Sequence, residues 1–187
     1  MKVKILDNCC SPAYLDCIKN VALDSENWNL RYPHGIPIEE KFLKLDIIDE
    51  GIRNHYLAGL AVGLLLQIEE AGGRGLFIPE ILFCGISMKD KNTPENMHVD
   101  RAKEDDHVKI LGLLNSDWKE EWGGGFFHNG TSNYIKPTSF CIFDSVEEHL
   151  TEEIFTDKKR FAIDFTVCRD QQSFNKVLEN ATIIKMK

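Results

Sequence analysis

The stretch NMHVDRAKEDDHVKILGLLNSDW, Asn96–Trp118, decides how the chain is read. It sets a histidine and an aspartate, His98 and Asp100, two positions apart, shortly before an apolar run that starts at His107. On a β-strand, side chains two apart project to the same side. The pair therefore faces one surface of a sheet. It either holds something there or merely decorates the strand.

Around this stretch the sequence consists of short apolar runs split by turn-rich pieces such as KDKNTPE, NSDWKEEWGG and NGTS. We read strands in LFIPEILFCGISM (76–88), NMHVDR (96–101), HVKILGLLN (107–115), GGFFHN (124–129), SNYIK (132–136), SFCIFDS (139–145), EEHLTEEIF (147–155) and RFAIDFTVCR (160–169). Eight strands without helical patterns between them predict a mainly β fold with flanking α, a jelly roll of the cupin-like kind. Two helices are predicted upstream. Ser11 and Pro12 form a start signal for AYLDCIKNVAL, a capping hydroxyl followed by proline at the first helical position. A second helix is predicted from about Ile38 to Ala71: Phe42, Leu45, Ile48 and Ile52 recur at three- and four-residue steps, and Gly72-Gly73 ends it. These N-terminal helices should pack on one sheet. The organisation expected is a single domain over 1–187, with helical and strand support at 1–75, the jelly-roll core at 76–170 and a C-terminal extension at 171–187.

With 187 residues, 43% hydrophobic and 28% charged, the composition is that of one globular domain. The formal net charge of −8 disfavours a nucleic-acid partner, because the average field repels phosphate. The most apolar run, LAGLAVGLLL (57–66), has about half the length of a membrane span and reads as a buried helix. MKVKILDNCC lacks the apolar segment of a signal peptide, and the six cysteines show no CxxC spacing. We therefore expect free thiols, a cytoplasmic setting and no membrane partner.

Two ligands do not hold a cation alone. The third candidate is His149, 51 residues after His98, in FDSVEEHLTEE. Two histidines and a carboxylate on one face of a divalent iron leave three positions open, the arrangement of non-haem iron oxygenases. Arg160, 11 residues further on, opens the apolar strand RFAIDFTV. A guanidinium whose stem lies in a barrel wall needs an anionic partner, and its planar fork suits a carboxylate. The competing reading is a solvated basic turn, Lys158-Lys159-Arg160, with HxD as simple strand decoration.

The order HxD, LLN-x-x-W, GGGFF, FDS-x3-H and RFAI resembles the 2-oxoglutarate- and Fe(II)-dependent dioxygenase superfamily, most nearly its prolyl 4-hydroxylase-like branch. The match runs from about Leu76 to Arg169. The resemblance implies a double-stranded β-helix with His98, Asp100 and His149 as metal ligands and catalytic centre. It implies Arg160 as the residue binding the distal carboxylate of 2-oxoglutarate. It also implies dioxygen as oxidant, succinate and carbon dioxide as products, ascorbate as an auxiliary cofactor and hydroxylation of an aliphatic C–H bond. Halogenating relatives carry a small residue where this chain has Asp100, which favours hydroxylation.

The chain departs from the prolyl hydroxylase pattern at three places. Leu113 stands for the tyrosine before Leu-Asn, Thr166 for the tryptophan six residues after the arginine, and Ser87 and Met88 lie where a tyrosine is expected upstream of HxD. The substrate is thus open between a prolyl or other protein residue and a free small molecule. A non-catalytic cupin-like binding module and a cupin-type metal-dependent isomerase are the competing classes. His107 is expected to be exposed, His128 to end a strand or sit in a turn, and His34 and His55 to lie outside the barrel. Trp118 and Trp122 should pack their loop, and the carboxylates of 147–153 should form a solvated rim.

Overall fold

Alternation of side chains along four central strands builds the fold, which the computed structural model describes for residues 3–31, 42–93, 96–100 and 106–185. The strands are β1 (Lys4–Leu6), β2 (Asn29–Arg31), β3 (Phe42–Asp49), β4 (Ile81–Lys89), β5 (His107–Leu113), β6 (Phe126–His128), β7 (Thr131–Asn133), β8 (Phe140–Asp144), β9 (His149–Thr151) and β10 (Arg160–Cys168). The helices are α1 (Pro12–Leu23), α2 (His55–Ile68) and α3 (Gln171–Lys185). A seven-stranded antiparallel sheet has the order β1-β8-β5-β10-β4-β3-β2, and a smaller sheet has the order β7-β6-β9. This is the jelly-roll architecture expected from the sequence.

Each central strand divides its side chains between two surfaces. Along β10, Phe161, Ile163, Phe165 and Val167 join Cys84, Ile86, Val108, Ile110 and Ile142 in one core cluster. Leu15, Ile18 and Ala22 of α1 and Leu57, Ala61, Leu64 and Leu65 of α2 complete it. Full burial of each Leu, Ile or Phe side chain stabilises the domain by about 1.5–3 kcal/mol. The two helices thus cover the outer face of the large sheet. Its inner face carries the alternate residues, including Arg160, Ala162 and Asp164 of β10, and borders a cavity of about 500 Å³.

The start of α1 forms as its sequence predicts: Ser11 Oγ accepts from Tyr14 N at 3.2 Å, with Pro12 in the first turn. The apolar run of α2 is buried along Leu57, Ala61, Leu64, Leu65 and Ile68. Among the described residues, no helix is long and apolar enough to cross a membrane.

Three expectations need correction, those on the second helix, the strands and His107. The long second helix is instead β3 followed by α2, and residues 38–41 of it lie outside the described residues. FLKLDIID satisfies both periods: Phe42, Leu45 and Ile48 are three apart, while Leu43, Leu45 and Ile47 are two apart. Pairing with β4 through a register shift between Asp46 and Ile48 selects the strand. The strand count is ten among the described residues: β1, β2 and β3 escaped the pattern, the expected strand at 96–101 is reduced to an isolated bridge at His98, and 76–80 precede β4 rather than belonging to it. The C-terminal extension is largely the helix α3. His107 is buried rather than exposed, since it begins β5 opposite Cys168 of β10. His34 lies outside the described residues.

Candidate metal centre

His98 does not belong to a regular strand. It forms an isolated antiparallel bridge with His149 that adds the 98–100 segment to the edge of the small sheet. The bridge is held by His98 N to His149 O at 3.1 Å and His149 N to His98 O at 2.9 Å. Asp100 N donates to Ser145 O at 3.1 Å. Backbone pairing across 51 positions of sequence thus sets the two imidazoles side by side, with ring centroids 4.5 Å apart.

The three side chains converge. His149 Nε2 is 3.5 Å from Asp100 Oδ2, and His98 Nε2 is 3.9 Å from Asp100 Oδ1. One ligand atom from each residue falls within 4.8 Å of the others. Ligands about 2.1 Å from a cation at right angles stand roughly 3 Å apart, so a contraction of an ångström or two closes the set on an ion. The tautomers are favourable as well. His98 Nδ1 lies 2.9 Å from the Asn96 carbonyl oxygen, and His149 Nδ1 lies 2.9 Å from that of Glu147. Each Nδ1–H donates to a carbonyl two residues upstream, which turns each Nε2 toward the shared space. The donor set fits a divalent metal.

Arg160 sits in the same cavity and is 1% exposed. The basic-turn reading is therefore excluded for Arg160, although Lys158 and Lys159 are exposed beside it. Asn115 positions the arginine by gripping the peptide groups on either side of it. Its Nδ2 donates to Lys159 O at 3.0 Å, and its Oδ1 accepts from Phe161 N at 2.6 Å. The glycine cluster makes room for the stem. Gly124 has φ +70°, and a Cβ there would stand 2.9 Å from Arg160 Cδ. Trp118 packs the loop as expected, buried and donating from Nε1 to Gly123 O at 3.0 Å. The LLN-x-x-W and GGG motifs thus serve to seat one guanidinium.

Two further groups, Lys109 and Asp164, were not singled out in the sequence. Lys109 Nζ lies 3.3 Å from Asp100 Oδ2, 3.4 Å from Asp164 Oδ1 and 3.3 Å from Thr166 Oγ1. Burial alone would raise the Asp100 carboxyl. The Lys109 ammonium, with help from the neighbouring His149 and His98, outweighs it and holds the group far below the usual carboxylate range. Burial would likewise lower Lys109, but Asp164 and Asp100 raise it above its ordinary value. Because Asp100 is depressed, its ionised form contributes stability above an ordinary carboxyl pKa of about 3.9 and loses it only as pH falls further. His128 ends β6, as expected from the sequence. It is buried, with Nε2 2.5 Å from Glu147 Oε2, so Glu147 supports His149 through its carbonyl and His128 through its carboxylate. Glu147 thus departs from the solvated rim, while Glu148 and Glu153 are exposed. Period two was the available signal: Lys109 lies on the face of Leu111, and Asp164 on the face of Arg160.

Exchanging Lys109 for methionine should destabilise the metal-free protein by about 2 kcal/mol, less than for a wholly buried pair, because the side chains of Asp100 and Asp164 stay 28% and 20% exposed. The urea midpoint measures this. An unchanged midpoint would show that the ammonium stabilises neither carboxylate.

No family model matches the chain, and no curated protein matches it by sequence. Solved structures do match. A 2OG-Fe(II) oxygenase family oxidoreductase from Burkholderia pseudomallei has a TM-score of 0.68 at 16% identity, over 90% of this chain and 85% of that one. A prolyl-4-hydroxylase from Pseudomonas putida has a TM-score of 0.59 at 17% identity, over 90% of this chain and 92% of that one. HygX from Streptomyces hygroscopicus, solved with nickel and 2-oxoglutarate bound, has a TM-score of 0.64 at 9% identity, over 90% and 83%. The resemblance to 2-oxoglutarate/Fe(II) oxygenases, prolyl 4-hydroxylase-like structures among them, holds at the level of fold.

Proposed function

We propose that this chain is a 2-oxoglutarate- and Fe(II)-dependent dioxygenase that hydroxylates an aliphatic C–H bond. The observation that carries the reading is the convergence of two imidazoles and a carboxylate in a cavity that also holds a buried guanidinium. His98 Nε2, His149 Nε2 and an Asp100 oxygen would hold the iron. Arg160 takes the distal carboxylate of 2-oxoglutarate. Iron and 2-oxoglutarate, when bound, supply the activation of dioxygen, with succinate and carbon dioxide as by-products. The chain's residues orient and enclose. Lys109 keeps Asp100 ionised, the two carbonyls hold the imidazole tautomers, and Phe126 and Phe143, packed about His149, keep water from that side.

The substrate would be a prolyl or other protein residue, or a free small molecule, with ascorbate as an auxiliary reductant. The reducing cytoplasm suits a chain whose six cysteines are all free. A binding module without catalysis is the competing class, and one experiment separates them. Anaerobic calorimetry with Fe(II) should give one site per chain, 2-oxoglutarate should bind only once iron is present, and admitting air should release succinate. Succinate formation that survives a strong chelator, or failure of 2-oxoglutarate to bind the iron-loaded protein, would sink the proposal.

A further inference from the structure

The inner face of the large sheet is unusually charged for a barrel interior, and its charges are not equally satisfied. Lys109 spends its donors on Asp100, Asp164 and Thr166, at 3.3–3.4 Å. Lys44, on β3, is different. Its Nζ lies 3.7 Å from Asp164 Oδ2 and 4.4 Å from the centroid of Phe83, and it makes no hydrogen bond among the described residues. Two positions along the same strand, Asp46 is also half-satisfied. Its Oδ2 accepts from Arg31 Nη2 at 2.7 Å, while its buried Oδ1 has no partner among the described residues. A buried carboxylate oxygen without a donor is costly unless a ligand supplies one.

The two groups share a wall of the cavity with the metal ligands. Residues two apart on a strand are separated by about 7 Å and face the same side. In register, Asp46 of β3 and Asp164 of β10 flank Gly85 of β4. A Cβ at Gly85 would stand 2.8 Å from the Phe83 ring and 3.1 Å from Lys44 Cε, so the missing side chain is what lets Lys44 lie across this wall. A ligand completing the wall offers one cationic donor to Asp46 and one anionic acceptor to Lys44. The separation must be short, because the two side chains arise from neighbouring inward positions.

We propose that the cavity binds a free α-amino acid as substrate, its ammonium on Asp46 Oδ1 and its carboxylate on Lys44 Nζ. This rests on the oxygenase reading for the reaction, though not for the binding. The chain Lys44–Asp164–Lys109–Asp100 links the carboxylate position to a metal ligand through successive ion pairs. Substrate held there lies in the cavity of the metal centre.

The test is calorimetric titration of the wild-type protein, anaerobically loaded with Fe(II) and 2-oxoglutarate, with the common L-α-amino acids. Their N-acetyl and carboxamide derivatives serve as singly blocked probes. At least one free amino acid should bind, and blocking either group should weaken it about ten- to a hundredfold, the worth of a charged hydrogen bond. Asp46→Asn should remove the penalty for N-acetylation, and Lys44→Met should remove the penalty for amidation. The blocked probes on the wild-type protein read the answer even if a variant misfolds. Equal binding of free and blocked forms, or no amino acid binding, would overturn the proposal, as would binding of a proline-containing peptide in preference to every free amino acid. Repeating the titration without iron separates the two readings: amino acid binding without any 2-oxoglutarate site would retire the oxygenase and keep the ligand class.

Discussion

Exchanging His98 for alanine is expected to weaken Fe(II) binding by at least about a hundredfold and to abolish iron-dependent succinate formation, while the fold persists. A four-ligand protein site gains roughly 10–16 kcal/mol from its metal, about 3 kcal/mol per ligand, and a three-ligand site has no spare donor. His149 and Asp100 would remain as a pair with 3.5 Å between their nearest atoms, which cannot complete one face of the ion. The fold should survive because residue 98 contributes an isolated bridge made by its backbone, and its side chain is 18% exposed rather than part of the core. Anaerobic iron titration alongside a thermal melt distinguishes the outcomes. Unaltered iron affinity in a folded variant would remove His98 from the metal centre.

The second large effect is expected at Arg160. Its removal should raise the half-saturating concentration of 2-oxoglutarate by about a hundredfold to a few thousandfold, because a buried carboxylate that loses its charged partner forfeits roughly 3–5 kcal/mol. Alanine would also open a void, since Arg160 is among the largest fully buried side chains. Arg160→Met keeps the stem's packing and removes only the charge, so it is the cleaner variant. Iron affinity should be nearly unchanged in it, because Arg160 is not one of the three residues that could hold the metal. A variant with normal co-substrate dependence would show that the guanidinium serves the fold alone.

The motifs around these residues acquire physical meaning together. Asn115 of LLN holds both peptide groups flanking Arg160, and Gly124 of GGG leaves the space its stem fills. The departures from the prolyl hydroxylase pattern also fall into place on the inner face. Thr166, where that pattern has tryptophan, accepts a hydrogen bond from Lys109. Ser87 pairs in register with Lys44. Two places that are aromatic in that pattern are thus polar here, beside the Phe42 and Phe83 rings that line the same cavity.

Much of this was legible without coordinates. Period-two alternation marks a strand locally, so β4, β5, β8 and β10 could be read from their own residues, as could the two-apart placement of His98 and Asp100. An arginine contiguous with an apolar strand signals burial for the same local reason. The failures have a common cause. FLKLDIID fits two periods at once, and only its pairing with β4 resolves them. His107 follows charged neighbours in sequence, yet the register with Cys168 buries it.

By itself, then, the sequence determined the strand class of the chain and the chemical types gathered at its centre, because alternation and side-chain chemistry belong to single segments. The tertiary structure alone decided that His98 pairs with His149 through their backbones, that Lys109 lies between Asp100 and Asp164, and that Asp46 Oδ1 has no donor among the described residues. Those are contacts between strands, and which side of a strand faces the cavity depends on what the other sheet presents to it.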